Sequence, residues 1–263
     1  MSTSSLSKSA QEVLEGYDHF RIDPATCSVP YFNNKKIGRR FSLRAYIGKG
    51  SPAEIREEVS SLFIKDKIDI GTLNSSGLKK FLINNNLGIE CSGFVYHVLD
   101  AENRSRGLGP LGKKIRLVNL GFLSRIFRTF RPAENCDVTT FASDRNSLIV
   151  PPSKIKAGDM ITMITSKEKG LTNHILLITG VNENNEGKIV AEYAHAAAYP
   201  EDGLEGTGIK KGTIEIAISN QNLADCLWIE NGAENQTNRI YRRALASKTE
   251  LRRLRWFEPE KVS

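Results

Sequence analysis

Cys91, His174 and His195 are the residues whose types and spacing could carry out covalent chemistry. In Glu90-Cys91-Ser92-Gly93-Phe94-Val95 the thiol sits at the predicted start of a helix. Phe94, Val95, Val98 and Leu99 form that helix's apolar face, and the turn-like stretch Asn84 to Gly88 precedes it. At a helix start, unsatisfied N–H groups and the positive end of the dipole favour thiolate over thiol. The backbone N–H groups of Cys91 and Ser92 could also hold a developing oxyanion, and Gly93 lets a substrate or another backbone come close. A cysteine without a base, however, is usually a small buried hydrophobe.

The chain has four histidines from which a base could come. His97 lies on the Cys91 helix at i+6, facing away, which suits a structural or exposed residue. His19 has no motif around it. His174 opens the predicted strand His174 to Thr179, and His195 closes the next, Ile189 to His195. If the two strands pair across the turn Asn182 to Glu186, both imidazoles come to the same end of the hairpin. Period-two alternation puts Ala191, Tyr193 and His195 on one face and Glu192 on the other. His174 is therefore the candidate general base, and His195 the residue that would orient it, with Glu192 in reserve. Glu90, Gly93, Asn173, Glu192 and Tyr193 flank these positions and are candidate substrate-binding residues.

The elements that must position these groups follow from local pattern. Residues 1–50 read as an irregular N-terminal extension, with Pro24, Pro30, Asn33-Asn34, Gly48 and Gly50. Ser51-Pro52-Ala53-Glu54 is a capping box with proline at the first helical position, opening a helix striped by Ile55, Val59, Leu62 and Phe63. A second helix is expected over Ser76 to Ile83. From Ala157 the pattern changes to short β-branched runs: Met160 to Ile164, His174 to Thr179, Ile189 to His195, Thr213 to Ile218 and Arg239 to Arg243. Helices first and strands afterwards predict an α+β fold with an antiparallel sheet. The expected organisation is the extension, a catalytic domain over 51–245 with a basic insertion around 102–150, and a basic tail over 246–263.

With 263 residues and 40% hydrophobic content, the chain can bury a full core without staples, which excludes a disordered or disulfide-dense class. The net charge of +7 is unevenly spread: Arg104 to Arg131 carries +8 and Arg239 to Arg255 carries +6, leaving the rest at −7. The first segment interleaves its cations with Ile115, Leu117, Val118, Leu120 and Phe122 and reads as a basic amphipathic helix or pair. It could be a solvated face, an anion-facing wall or a membrane-surface contact. It lacks the aromatic interleaving of a nucleic-acid stacking platform. No Cys-x-x-Cys pair supports a sulfur-bound zinc, and no metal or cofactor is expected. The absence of a signal-like apolar core or a membrane-length apolar run, with widely spaced cysteines, gives a cytoplasmic expectation.

Glu90-Cys91-Ser92-Gly93-Phe94-Val95, Ala157-Gly158-Asp159-Met160-Ile161, Asn173-His174-Ile175-Leu176-Leu177-Ile178-Thr179-Gly180 and Ala194-His195-Ala196, in that order, resemble the NlpC-type papain-like cysteine peptidases. Glu90 stands where the family usually has Asp, and Ala157 where it usually has Pro. The resemblance implies a papain-like fold, with a catalytic cysteine at a helix N-terminus packed on an antiparallel sheet. It also implies Cys91 as nucleophile, His174 as general base and acid, and His195 as the orienting residue. The implied substrate is a peptide amide such as a peptidoglycan stem peptide, whose carboxylates would suit a basic wall at Arg104 to Arg131. A non-wall cytoplasmic amidase, a delivered lysin or effector with the same mechanism, and a non-catalytic basic binding module are the alternatives.

Overall fold

β-Branched runs broken by turn residues build the sheet that dominates the second half of the chain. The computed structural model describes residues 3–32, 43–118, 131–165, 172–184, 187–217, 219–220 and 222–258. It divides into two compact units. One comprises Met1–Leu6, Gly112–His195 and Lys211–Ser263, and the other Ser7–Leu111 with Ala196–Lys210.

A nine-stranded sheet, most of it in the first unit, comprises β1 (Ser4–Ser5), β4 (Ser147–Ile149), β5 (Met160–Ile164), β6 (His174–Glu183), β7 (Ile189–Ala198), β8 (Thr207–Ile216), β9 (Leu227–Glu230), β10 (Ala233–Glu234) and β11 (Lys248–Leu254), with residues 196–198 of β7 and 207–210 of β8 counted in the second unit. The order is β10-β9-β8-β7-β6-β5-β11-β4, with β1 also paired to β6. The pairs β6/β7, β5/β6, β5/β11, β4/β11 and β8/β9 are antiparallel, so the sheet class expected from short links is observed. One face buries Ile161 and Met163 of β5, Leu176 and Ile178 of β6, Ala191 and Tyr193 of β7, Ile214 of β8, Trp228 of β9 and Leu251 of β11.

Two expectations for the C-terminal part are corrected. Arg239–Arg243 is not a strand: Arg239–Leu245 forms a helix whose cap, Asn238, accepts from the N–H groups of Ile240 and Tyr241. An Asn cap followed by Ile240, Tyr241 and Ala244 on one buried face overrides the β-like look of Arg-Ile-Tyr. Residues 246–263 are not simply a tail either, because Lys248–Leu254 is β11, set between β5 and β4. Lys248 stays exposed, but the two arginines are buried: Arg253 makes a two-pronged bond to Asp159, at 2.7 and 2.8 Å, and Arg252 pairs with Glu250 and Asp144.

The second unit is mainly helical: α1 (Lys8–Asp18), α2 (Pro52–Asp66), α3 (Ser75–Asn84) and α4 (Cys91–Ser105), with the hairpin β2 (Phe20–Ile22) and β3 (Ala25–Cys27). The capping box at Ser51 and Glu54 forms as the motif predicts. The irregular reading of residues 1–50 is corrected by α1, capped by Ser7, and by the hairpin; residues 33–42 of that extension lie outside the described residues. α1 packs on α4 through Tyr17, edge-on to Phe94 with ring centroids 5.7 Å apart. Of the basic stretch 104–131, residues 119–130 lie outside the described residues. In the described part, Arg104 and Arg106 lie at the end of α4 and pair with Asp100 and Glu102, where cations also suit the helix dipole.

Candidate active site

The turn leading to Cys91 is clamped on two sides by backbone. Ile89 N–H donates to the Pro30 carbonyl at 3.0 Å, Phe32 N–H to the Ile89 carbonyl at 3.1 Å, and Glu90 N–H to the Gly48 carbonyl at 3.0 Å. Gly88 and Gly93 are needed for that closeness. A Cβ at Gly88 would lie 2.5 Å from the Pro30 carbonyl oxygen, and one at Gly93 2.5 Å from that of Gly48. The close approach that Gly93 permits is thus made by the chain's own backbone.

α4 begins at Cys91, which is 5% exposed. Glu90 is its N-cap by backbone, accepting from Phe94 N–H at 2.9 Å, but its carboxylate makes no capping bond. That carboxylate instead meets Lys49 and the Ser92 hydroxyl. His97 is structural: a ring nitrogen lies 2.8 Å from the Lys49 carbonyl, and burial lowers its pKa.

In the sheet unit the two strand imidazoles meet. The register pairs Met163 with His174 and Ile178 with Tyr193, so His174, Tyr193 and His195 share the face that buries Leu176 and Ile178. His174 Nε2 and His195 Nδ1 are 2.8 Å apart, with the rings nearly perpendicular at 87°. His195 Nε2 lies 2.8 Å from Glu230 Oε2, and the Tyr193 hydroxyl donates to the same oxygen at 3.1 Å.

This network dictates the tautomers. An ionised Glu230 only accepts, so a singly protonated His195 carries its proton on Nε2. His195 Nδ1 then accepts from His174 Nε2–H, and the lone pair of His174 resides on Nδ1. Burial first, then His195 and Arg243, holds the His174 pKa well below its ordinary value, so the ring is a neutral base at pH 7.

Glu230 is the residue that sequence reasoning missed. Its signal is the run Leu227-Trp228-Ile229-Glu230 before Asn231-Gly232, a hairpin dipeptide. Asn231 and Gly232 adopt φ of 52° and 76°, and the turn pairs Ala233 with Glu230. Trp228 lies opposite Ile214 on the buried face, and period-two alternation puts Glu230 on that same face, which carries the histidines.

The other candidates are placed as follows. Tyr193 orients Glu230. Glu192 is exposed, on the opposite face from His195, as the alternation predicts. Asn173 accepts from the Thr165 N–H at 3.1 Å, in the link before β6. His19 ends α1, where with Glu15 and Asp18 it brings ligand-type atoms within 4.8 Å of one another. That group is exposed, and His19 already shares a 2.7 Å contact with Glu15.

Comparison with known proteins adds no relative. No protein-family model, curated protein or solved structure matches the chain.

Proposed function

We propose that the protein is a papain-like cysteine hydrolase that cleaves a peptide amide, with Cys91 as nucleophile and His174 as general base. The observation that carries this reading is the buried relay His174–His195–Glu230, which leaves a basic lone pair on His174 Nδ1. A buried imidazole oriented by a second imidazole and a carboxylate follows the logic of a catalytic triad. A thiol at the first residue of a helix that has no side-chain capping bond would supply the complementary half.

In the proposed reaction, His174 Nδ1 takes the Cys91 thiol proton, and Sγ attacks the amide carbonyl carbon. The carbonyl oxygen becomes an oxyanion held by the N–H groups of Cys91 and Ser92, a contact worth about 2.7–4 kcal/mol per donor. The C–N bond breaks as His174 returns its proton to the leaving amine, forming a thioester. Water, deprotonated by His174, then releases the carboxylic acid and restores the thiol. His195 and Glu230 hold the tautomer throughout and fix the orientation of the His174 ring. The resemblance to NlpC-type peptidases favours a peptidoglycan stem peptide as substrate.

The rival reading, a basic binding module, draws less support, because Arg252 and Arg253 are spent on internal ion pairs.

Two measurements test the proposal. The purified protein should hydrolyse stem-peptide amides, and Cys91→Ala should abolish this; activity that survives the substitution overturns the reading. The mechanism also requires His174 to reach Cys91. A short bifunctional alkylating agent such as 1,3-dibromoacetone should therefore join the two residues, as read by peptide mass spectrometry.

A further inference from the structure

The turn that carries Cys91 is braced by an ion pair that the acyl-transfer scheme does not use. Lys49 is 4% exposed, and its ammonium lies 2.5 Å from Glu90 Oε1. It also donates to Ser92 Oγ at 2.7 Å, and that hydroxyl donates to Glu90 Oε1 at 2.6 Å. The three side chains close a ring around both chain neighbours of Cys91. Burying an ammonium is costly unless it is paired, so so complete a ring needs a reason.

A Ser–Lys dyad would need Lys49 as a base towards Ser92. An ammonium already paired with a carboxylate has no lone pair to offer, and Ser92 is only 2% exposed. The alternative concerns Glu90. An acidic side chain at a helix N-cap is attracted to the first-turn N–H groups and the positive dipole end. There it would occupy the donors needed for an oxyanion and set a second negative charge against a thiolate. Lys49 draws it aside, and the Glu90 carboxylate makes no bond to the helix backbone.

We propose that Lys49 and Glu90 are positioning residues for the nucleophile. The pair keeps the Glu90 carboxylate off the first-turn N–H groups, and Lys49 neutralises its charge beside Cys91. This rests on the reading of Cys91 as the nucleophile. Other titratable groups surround the same segment. His97 of α4 contacts the Lys49 carbonyl, and Arg44, Glu54 and Asp100 act on that imidazole. Tyr17 of α1 donates to the Gly50 carbonyl. All of these remain in every variant below.

The test is the pH dependence of Cys91 alkylation by iodoacetamide, read at that residue by peptide mass spectrometry on the full chain. Glu90→Gln removes the negative charge next to Cys91 in the chain and keeps the Lys49 ammonium, so the midpoint should fall by about one pH unit. Lys49→Met leaves the carboxylate uncompensated, and the midpoint should rise by about as much. The double variant should return close to the wild-type profile, and Lys49→Arg should keep it. A brace that only stabilised the fold would not move the midpoint in opposite directions. Shifts of the same sign, or none, overturn the proposal. If Lys49→Met does not fold, Glu90→Gln decides alone, because it preserves shape and the bond to Ser92; the absence of a downward shift then overturns it. The readout needs no substrate, so hydrolysis surviving in Cys91→Ala would sink the acyl-transfer reading separately.

Discussion

At Glu230, one carboxylate oxygen accepts from both His195 and Tyr193, and through His195 it dictates which nitrogen of His174 is basic. In the proposed mechanism, losing the charge while keeping the shape should weaken this control and leave the Cys91 thiol in place. Glu230→Gln is expected to lower kcat/KM by about 10- to 100-fold. That is less than the ~10⁴ seen when a carboxylate bonded directly to the catalytic histidine is neutralised. Cys91 alkylation should persist in this variant, which separates a relay defect from unfolding. A change below threefold would remove Glu230 from the relay. The depressed His174 pKa gives a second expectation. Because burial keeps the ring neutral, the acid limb of the kcat/KM profile should lie below the ordinary value of 6.5.

The elements owe their limits to a few capping and turn residues. Asn238 accepts from two N–H groups at the start of helix Arg239–Leu245, the helix that supplies Arg243 near His174. Asn238→Ala should cost about 1 kcal/mol, measurable by urea denaturation, whereas Asn238→Asp should be nearly neutral. The Asp159–Arg253 pair ties the start of β5 to β11, with both side chains buried. Asp159→Asn leaves a buried guanidinium short of its main partner, and a loss of about 3–5 kcal/mol is expected. Replacing both residues by apolar ones of similar volume should recover part of that loss.

Across the whole molecule, buried titratable groups bound the pH range of stability. His174 is held neutral when folded, while the unfolded ring binds a proton near pH 6.5. The unfolded state therefore gains protons first as pH falls, so stability is full above 6.5 and declines below it. At the other end, burial pushes the Cys27 thiol from 9.0 up to about 12, and raises Cys226 as well. The unfolded thiols ionise first, so stability should fall as pH rises from 9 towards 12. Thermal melts across pH should show both declines, and Cys27→Ala should shallow the alkaline one.

What was legible in the sequence was whatever depends on neighbours along the chain. The capping box at Ser51, the helix start at Cys91, the alternation separating His195 from Glu192 and the shift to strands after Ala157 are all local patterns. Backbone sterics and side-chain period act over a few residues, so such patterns survive without tertiary context. The misread residues depend on distant partners. Arg-Ile-Tyr at 239–241 became helical because Asn238 caps it and a core buries it, and the basic run at 252–253 turned inward to meet Asp144 and Asp159. A hairpin signal marks the strand of Glu230, but nothing along the chain names a partner for Glu230 or Lys49. Only the tertiary structure pairs Glu230 with His195 and Lys49 with Glu90, because a buried charge is tolerated only where the fold brings its counter-charge within hydrogen-bond reach.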